Sequence, residues 1–229
     1  MSLVFPKKIK SITLCITNYN KERFLDRAIR SCQSQIQENF NIETILVNDG
    51  SKKFNIKKYK TEFPNLKIID YKKNMGVSHA SNKGIKFSKS DYFMRVDADD
   101  FLSIRACLIL ITFLEENPKY PFAYGDIKKI LNYGTGTIIK RNNLQNLFEY
   151  GAGVMFRKDI LKKVKGYNEK LRNCEDYDLI ARIIEKFGNG LYLPISYYRY
   201  YKTNTSHLTS KKSRKELKEK LKKKYEYLR

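Results

Sequence analysis

The sequence predicts an α/β fold: a mixed, mostly parallel sheet flanked by helices. Two observations carry this expectation. Through the first half, short β-rich apolar runs alternate with segments whose apolar residues recur at helical spacing. Hydrophobic residues make up 41% of the 229 residues and aromatics 13%, enough to bury a large core and too many for a disordered chain. The longest nearly unbroken apolar stretch, residues 108–114, is far too short to span a membrane. The opening MSLVFPKKIKS has too small an apolar patch for a signal peptide.

Residues 11–17 (SITLCIT) form the first predicted strand. Residues 22–37 follow as a helix, with Phe24, Leu25, Ala28, Ile29, Cys32 and Ile36 on one face. Residues 43–48 are the second strand and run into the turn sequence Asp49-Gly50-Ser51. A Lys-rich helical segment leads to a third strand at 66–70. Residues 77–87 are helical, 92–96 make a fourth strand, and 102–117 read as a buried helix that stops before Pro118. Ligands of such sheets bind beyond the carboxyl ends of the strands.

The second half is less regular. Strands are expected at 122–130 and 137–139, around Gly134-Thr135-Gly136, and again at 152–156. Residues 175–187 read as a helix with Tyr177, Ile180, Ile184 and Phe187 on one face, and 191–201 as an aromatic strand. No repeat or linker divides the chain, so residues 1–209 are expected to be one domain and 210–229 a basic helical tail. Leu217, Leu221 and Tyr225 recur every four residues in that tail. Such a stripe suits an anionic membrane surface or packing on the domain.

Lys and Arg number 46 against 24 Asp and Glu, a net charge of +22. That balance attracts nucleic acid, anionic lipid or phosphorylated substrates, but a Lys-rich composition alone selects none of them. No helix-turn-helix, zinc or RNA-recognition signature accompanies it, so no nucleic acid is expected as a partner. Cys15, Cys32, Cys107 and Cys174 are scattered without a CxxC pair, as in a reduced, cytoplasmic protein.

Acidic residues fall at the predicted ligand edge in three places: Asp49, Asp97-Ala98-Asp99-Asp100, and Glu175-Asp176. An Asp-x-Asp (DXD) motif can present two carboxylates to Mg²⁺ or Mn²⁺, which prefer oxygen and leave positions open for phosphates. Each place also has a structural reading. Asp49 suits a turn, Asp100 a cap for the helix expected from Phe101, and Glu175 and Asp176 the positive end of a helix dipole.

Taken in order, the motifs resemble the family 2 glycosyltransferases of the GT-A (Rossmann-like) fold. The matching pieces are Thr17-Asn18-Tyr19-Asn20, Val47-Asn48-Asp49-Gly50-Ser51, Asn74-Met75-Gly76-Val77-Ser78, Ala80-Ser81-Asn82-Lys83-Gly84, Arg95-Val96-Asp97-Ala98-Asp99-Asp100, Gly166-Tyr167-Asn168-Glu169 and Glu175-Asp176-Tyr177-Asp178. The resemblance spans roughly residues 12–199. It implies metal-dependent, inverting transfer of a hexosyl or N-acetylhexosaminyl unit from a nucleotide-sugar, most readily a UDP-sugar. The acceptor it implies is a hydroxyl of a surface glycan or a lipid-linked acceptor.

The same resemblance puts Thr17, Tyr19, Asn20, Asp49, Asn82, Asp97, Ala98 and Asp99 on the donor. It makes Asp99 a Mn²⁺ or Mg²⁺ ligand, Asp176 the general base and Glu175 its support or an acceptor contact. Two positions depart from the family. Ser81 stands where an Arg is common, and Tyr201 where a His is common; His207, six residues on, is the substitute candidate for a metal or phosphate contact, or an ordinary surface residue. The departures leave room for a catalytically impaired nucleotide-sugar-binding protein, and the charge for a nucleic-acid-binding one. The expected location is the cytoplasm, with the inner face of the membrane as the alternative that the basic tail offers.

Overall fold

A computed structural model describes residues 10–131, 136–202 and 211–228. In chain order the first half runs β1 (Lys10–Asn18), α1 (Glu22–Gln33), β2 (Phe40–Asp49), α2 (Ile56–Glu62), β3 (Lys67–Tyr71), α3 (Val77–Phe87), β4 (Tyr92–Asp97), β5 (Phe101–Leu102) and α4 (Ala106–Glu116). The second half adds β6 (Phe122–Leu131), β7 (Thr137–Ile139), α5 (Leu144–Glu149), β8 (Met155–Arg157), α6 (Lys158–Lys163), α7 (Glu175–Phe187), β9 (Leu191–Lys202) and α8 (Lys211–Lys224).

The sheet order is β3-β2-β1-β4-β8-β6-β9-β5, with β7 paired to β6. Strands β3, β2, β1 and β4 are parallel. Strand β8 is antiparallel to both β4 and β6, and β9 runs parallel to β6. The alternation of β1 explains the two cores. Ile12, Leu14 and Ile16 face the cluster that contains Leu25 and Ile29 of α1 and Leu110 and Leu114 of α4. Cys15 faces the opposite cluster, with Ala80 of α3 and Leu179, Ile180 and Ile183 of α7.

Several expected boundaries move. Helix α1 ends at Gln33 because Ser34 closes it and Ile36 N–H turns to Ile104 O. The helix expected from residue 102 starts at Ala106, because Phe101 and Leu102 pair antiparallel with Arg199 and Tyr198. Asp100 therefore caps no helix. It is buried, accepting from Tyr198 Oη at 2.8 Å and from Tyr201 N at 2.8 Å, so it ties the DXD turn to β9. The strand expected at 152–156 shrinks to β8. Helices α5 and α6 escaped the sequence reading because six residues are too few to show a period. Gly134, Thr135 and His207 lie outside the described residues.

Two long-range ties shape the second half. Arg141 is fully buried and donates to Tyr150 O (2.7 Å), Ala152 O (3.0 Å), Gly125 O and Tyr197 Oη. Those acceptors fix residues 150–152 in place. Helix α8 lays its apolar stripe on the domain: Leu221 and Tyr225 are buried beside α7 and Leu217 packs against them. Tyr225 Oη donates to Asp178 Oδ1 at 3.2 Å, and Lys218 pairs with Glu149.

Helix α3 lies so close to β1 that a Cβ at Gly84 would overlap Cys15 Sγ. Gly84→Ala is expected to cost about 1–3 kcal/mol through overpacking, read as a lower urea midpoint with an unchanged slope.

Candidate active site

Strands β2 and β3 extend the sheet on one side of β1, and β4 pairs on its other side. The strand order thus reverses between β1 and β4, where open α/β sheets leave a crevice. A cavity of about 960 Å³ opens there. Its walls include Thr17, Tyr19 and Lys21 after β1, Asp49 from β2, and Asp97, Ala98 and Asp99 after β4. Residues 148–152 and the start of α7, with Glu175 and Asp176, close the other side.

Asp49 is buried, and its carboxylate organises the loop before α3. Oδ1 accepts from Met75 N at 2.8 Å; Oδ2 accepts from Gly76 N at 2.8 Å and Asn74 Nδ2 at 2.9 Å. The turn reading and the ligand-edge reading of this residue coincide in one position. Asn20 and Asn82 are the expected donor contacts that the structure does not bring to the cavity wall. Asn20 takes a left-handed backbone (φ 55°), its N–H directed to Ser51 Oγ. The Asn82 amide is spent on the 167–169 loop, with Oδ1 accepting from Tyr167 N (2.8 Å) and Nδ2 donating to Tyr167 O (2.9 Å) and Glu169 Oε1 (2.8 Å).

The residues that depart from the family are also engaged. Ser81 is buried and donates to Val77 O within α3. Tyr201 stacks its ring against Arg27, 4.6 Å from the guanidinium carbon, while its N–H holds Asp100. His79 pairs with Glu169 at 2.9 Å, away from the cavity.

The centre of the site is Arg95, which stands in one of the family motifs but has no expected role from the sequence. Its side chain is 5% exposed. Nη2 donates to Asp176 Oδ2 at 2.7 Å and Nη1 to Glu175 Oε1 at 3.1 Å. Nε lies 3.2 Å from Asp97 Oδ1 without hydrogen-bond alignment. One guanidinium thus joins the carboxyl end of β4 to the first turn of α7. The signal was present: an Arg in the middle of YFMRV, a buried strand, demands carboxylate partners.

Burial opposes the charge on Arg95, but the carboxylates, Asp176 foremost, hold its pKa well above that of ordinary arginine. One positive charge does not offset three negative ones. Burial pushes Asp176 up to about 7 despite the pull of Arg95, with Glu175 and Asp97 adding to the rise. Burial also raises Asp97, again against Arg95. A carboxyl of this kind can accept a proton near neutral pH. Gly151 packs directly over it, since a Cβ there would overlap Asp176 Cβ.

Asp99 has a different partner. Its Oδ2 lies 2.7 Å from Lys21 Nζ, and its backbone carbonyl accepts from Arg27 Nη2 at 2.6 Å. Among the described residues no group of three or more His, Cys, Asp or Glu could hold a metal by itself. Asp97 and Asp99 nevertheless supply hard oxygen donors on the cavity wall. That set fits Mg²⁺ or Mn²⁺ when phosphate and water complete the shell.

The family model described as Glycosyl transferase family 2 matches residues 13–165. The chain belongs to glycosyltransferase family 2. An uncharacterized glycosyltransferase of Haemophilus influenzae is 25% identical over 186 residues, covering 76% of this chain and 62% of the relative. TarP of Staphylococcus aureus, a poly(ribitol-phosphate) beta-N-acetylglucosaminyltransferase, is 30% identical over 173 residues, covering 69% and 52%.

Among solved structures, S. aureus TarS 1-349 in complex with UDP-GlcNAc superposes with a TM-score of 0.74 at 18% identity, over 92% of this chain and 65% of that one. The mannosyltransferase PcManGT of Pyrobaculum calidifontis, in complex with GDP-Man and Mn²⁺, gives 0.67 at 12% identity, over 87% and 59%. These likenesses show the GT-A fold. The chain spans less than two thirds of the length of each of these four proteins.

Arg95→Gln should strand Asp97, Glu175 and Asp176 without their cation and cost about 3–5 kcal/mol in denaturant titration at pH 7. The double variant with Asp176→Asn should recover part of that loss, because one buried negative charge leaves with its partner.

Proposed function

We propose that the chain transfers a sugar, with inversion, from a nucleotide-sugar to an acceptor hydroxyl. The observation that carries the reading is the placement of Asp176, part-buried with its side chain 15% exposed, in the same cavity as Asp49, Asp97 and Asp99. Thr17, Tyr19 and Asp49 would bind the nucleoside, most readily uridine, and Asp97, Ala98 and Asp99 the ribose and diphosphate. Asp99 would hold Mn²⁺ or Mg²⁺, with Asp97 beside it, and the ion would offset charge on the departing diphosphate. His207 remains a proposal on sequence grounds alone.

In the step itself, the acceptor oxygen bonds to the anomeric carbon as the carbon–oxygen bond to the diphosphate breaks. The acceptor proton passes to Asp176, and Glu175 and Arg95 keep that carboxylate in position. The solved complexes with UDP-GlcNAc and GDP-Man support a nucleotide-hexose or N-acetylhexosamine donor, and the Mn²⁺ in one of them supports a divalent ion. Lys129, Lys215 and Lys218 also line the cavity, which favours a phosphate-bearing glycan or lipid-linked acceptor. Among the described residues no helix is long and apolar enough to cross a membrane. We place the protein in the cytoplasm, with the exposed lysines of α8 able to meet anionic lipid at the inner face.

Thermal shift against UDP-, GDP-, dTDP- and CMP-sugars with Mn²⁺ tests the donor class; a ligand at 100 times its Kd adds about 2.7 kcal/mol of apparent stability. Donor binding without turnover on any acceptor or water would turn the assignment to a non-catalytic binder. Asp99→Ala should abolish metal-dependent donor binding in calorimetry while the fold survives.

Asp176→Asn should lower turnover by roughly 10²–10⁴ with donor affinity nearly unchanged, and a loss within threefold would move the base elsewhere. The base must be ionised to act. Because burial sets Asp176 at about 7, the rate should fall as pH drops below that value, approaching about tenfold per unit.

A further inference from the structure

The two carboxylates proposed for the metal are paired with different kinds of cation. Asp97 faces Arg95, whose other nitrogens are committed to Glu175 and Asp176 and whose side chain is 5% exposed. That guanidinium cannot leave without stranding two further charges. Asp99 faces Lys21 at 2.7 Å, with the two side chains 20% and 15% exposed. Lys21 stands at the N-cap of α1, its backbone N–H held by Asn18 Oδ1 at 3.3 Å, and its side chain lines the cavity. A lysine ammonium is a compact charge on a four-carbon stem with free rotors. This pair can therefore open while the backbone stays where it is.

Asp99 alone in that position would be a largely buried, uncompensated carboxylate. With a divalent ion beside it, the ammonium would face a like charge. A nucleotide diphosphate brings new negative charge into the same cavity and offers the displaced ammonium a better partner.

We infer that Lys21 is the exchangeable counter-ion of Asp99. It holds the carboxylate ready in the donor-free enzyme, yields it to the divalent ion, and then pairs with the diphosphate of the donor. The inference rests on the metal-dependent donor reading above and adds a residue that competes with one ligand and cooperates with the other.

Lys21→Met removes the charge and keeps the stem. Two titrations read opposite signs. Mn²⁺ binding without nucleotide, followed by the electron paramagnetic resonance of the free ion, should tighten about threefold, because the competing cation is gone. UDP binding at saturating Mn²⁺, followed by calorimetry, should weaken about tenfold, because a charge-assisted bond is lost. Lys21→Arg should bring both values back toward wild type. A purely structural role for Lys21 would weaken both titrations, and that result overturns the inference. So does equal Mn²⁺ affinity in the two proteins, or Mn²⁺ binding in neither until UDP is added, and each of these leaves the donor reading standing. Failure of wild-type protein to bind UDP or Mn²⁺ under any condition removes the donor reading itself.

Discussion

A single buried guanidinium sets the terms for the cavity. Arg95 lies in a strand whose other residues are almost all apolar, so its charge must be met locally. It is met by Glu175 and Asp176 at the first turn of α7 and by Asp97 at the end of its own strand. The adjacent pair Glu175 and Asp176 lies some 80 residues along the chain from Arg95 and Asp97. Their convergence is what makes one site out of a parallel half-sheet and a helix that follows a much less regular segment. Burial of this cluster, with Glu175 and Asp97 adding to it against the pull of Arg95, raises the Asp176 carboxyl to about 7, where a proton acceptor is useful.

The second layer of control is steric. Gly151 lies flush against Asp176, and its neighbours Tyr150 and Ala152 are held by the buried Arg141, whose guanidinium reaches their backbone carbonyls and a tyrosine hydroxyl. Asp100 plays the matching part on the other flank, fastening the DXD turn to β9 through Tyr198 and Tyr201. Both devices use buried polar groups with satisfied partners, an arrangement that favours one geometry over its neighbours. The wall positions are thereby fixed by residues that do not themselves need to touch a substrate.

Much of the first half was legible because its signals are strong. Residues 77–87 were expected as a helix and form α3, and the strands at 11–17, 43–48, 66–70 and 92–96 reappear with ends shifted by at most three residues. The acids at strand ends reach the cavity because strand direction alone puts them there. What was not legible depends on tertiary partners. Asp100 looked like a cap because a helix follows nearby; only the pairing of Phe101 and Leu102 with β9 reveals otherwise. Asn82 carries a family motif, yet its amide is claimed by Tyr167 from a distant loop. The stripe Leu217, Leu221 and Tyr225 suits two surfaces by sequence alone, and the packing on α7 depends on a partner the local pattern does not name.

The contact between Tyr225 and Asp178 gives the site an order of completion. Helix α7 holds Glu175 and Asp176 in its first turn, and Asp178, in that same turn, takes a hydrogen bond from a tyrosine 47 positions later in the chain. A ribosome that has just released residue 187 has made every residue of the carboxylate cluster. It has made neither β9, which anchors the DXD turn, nor α8, which seals the outer face of α7. The cavity wall also takes Tyr198 and Tyr200 from β9 and Lys215 and Lys218 from α8, so a nascent chain can carry all the acids before the wall that encloses them is complete.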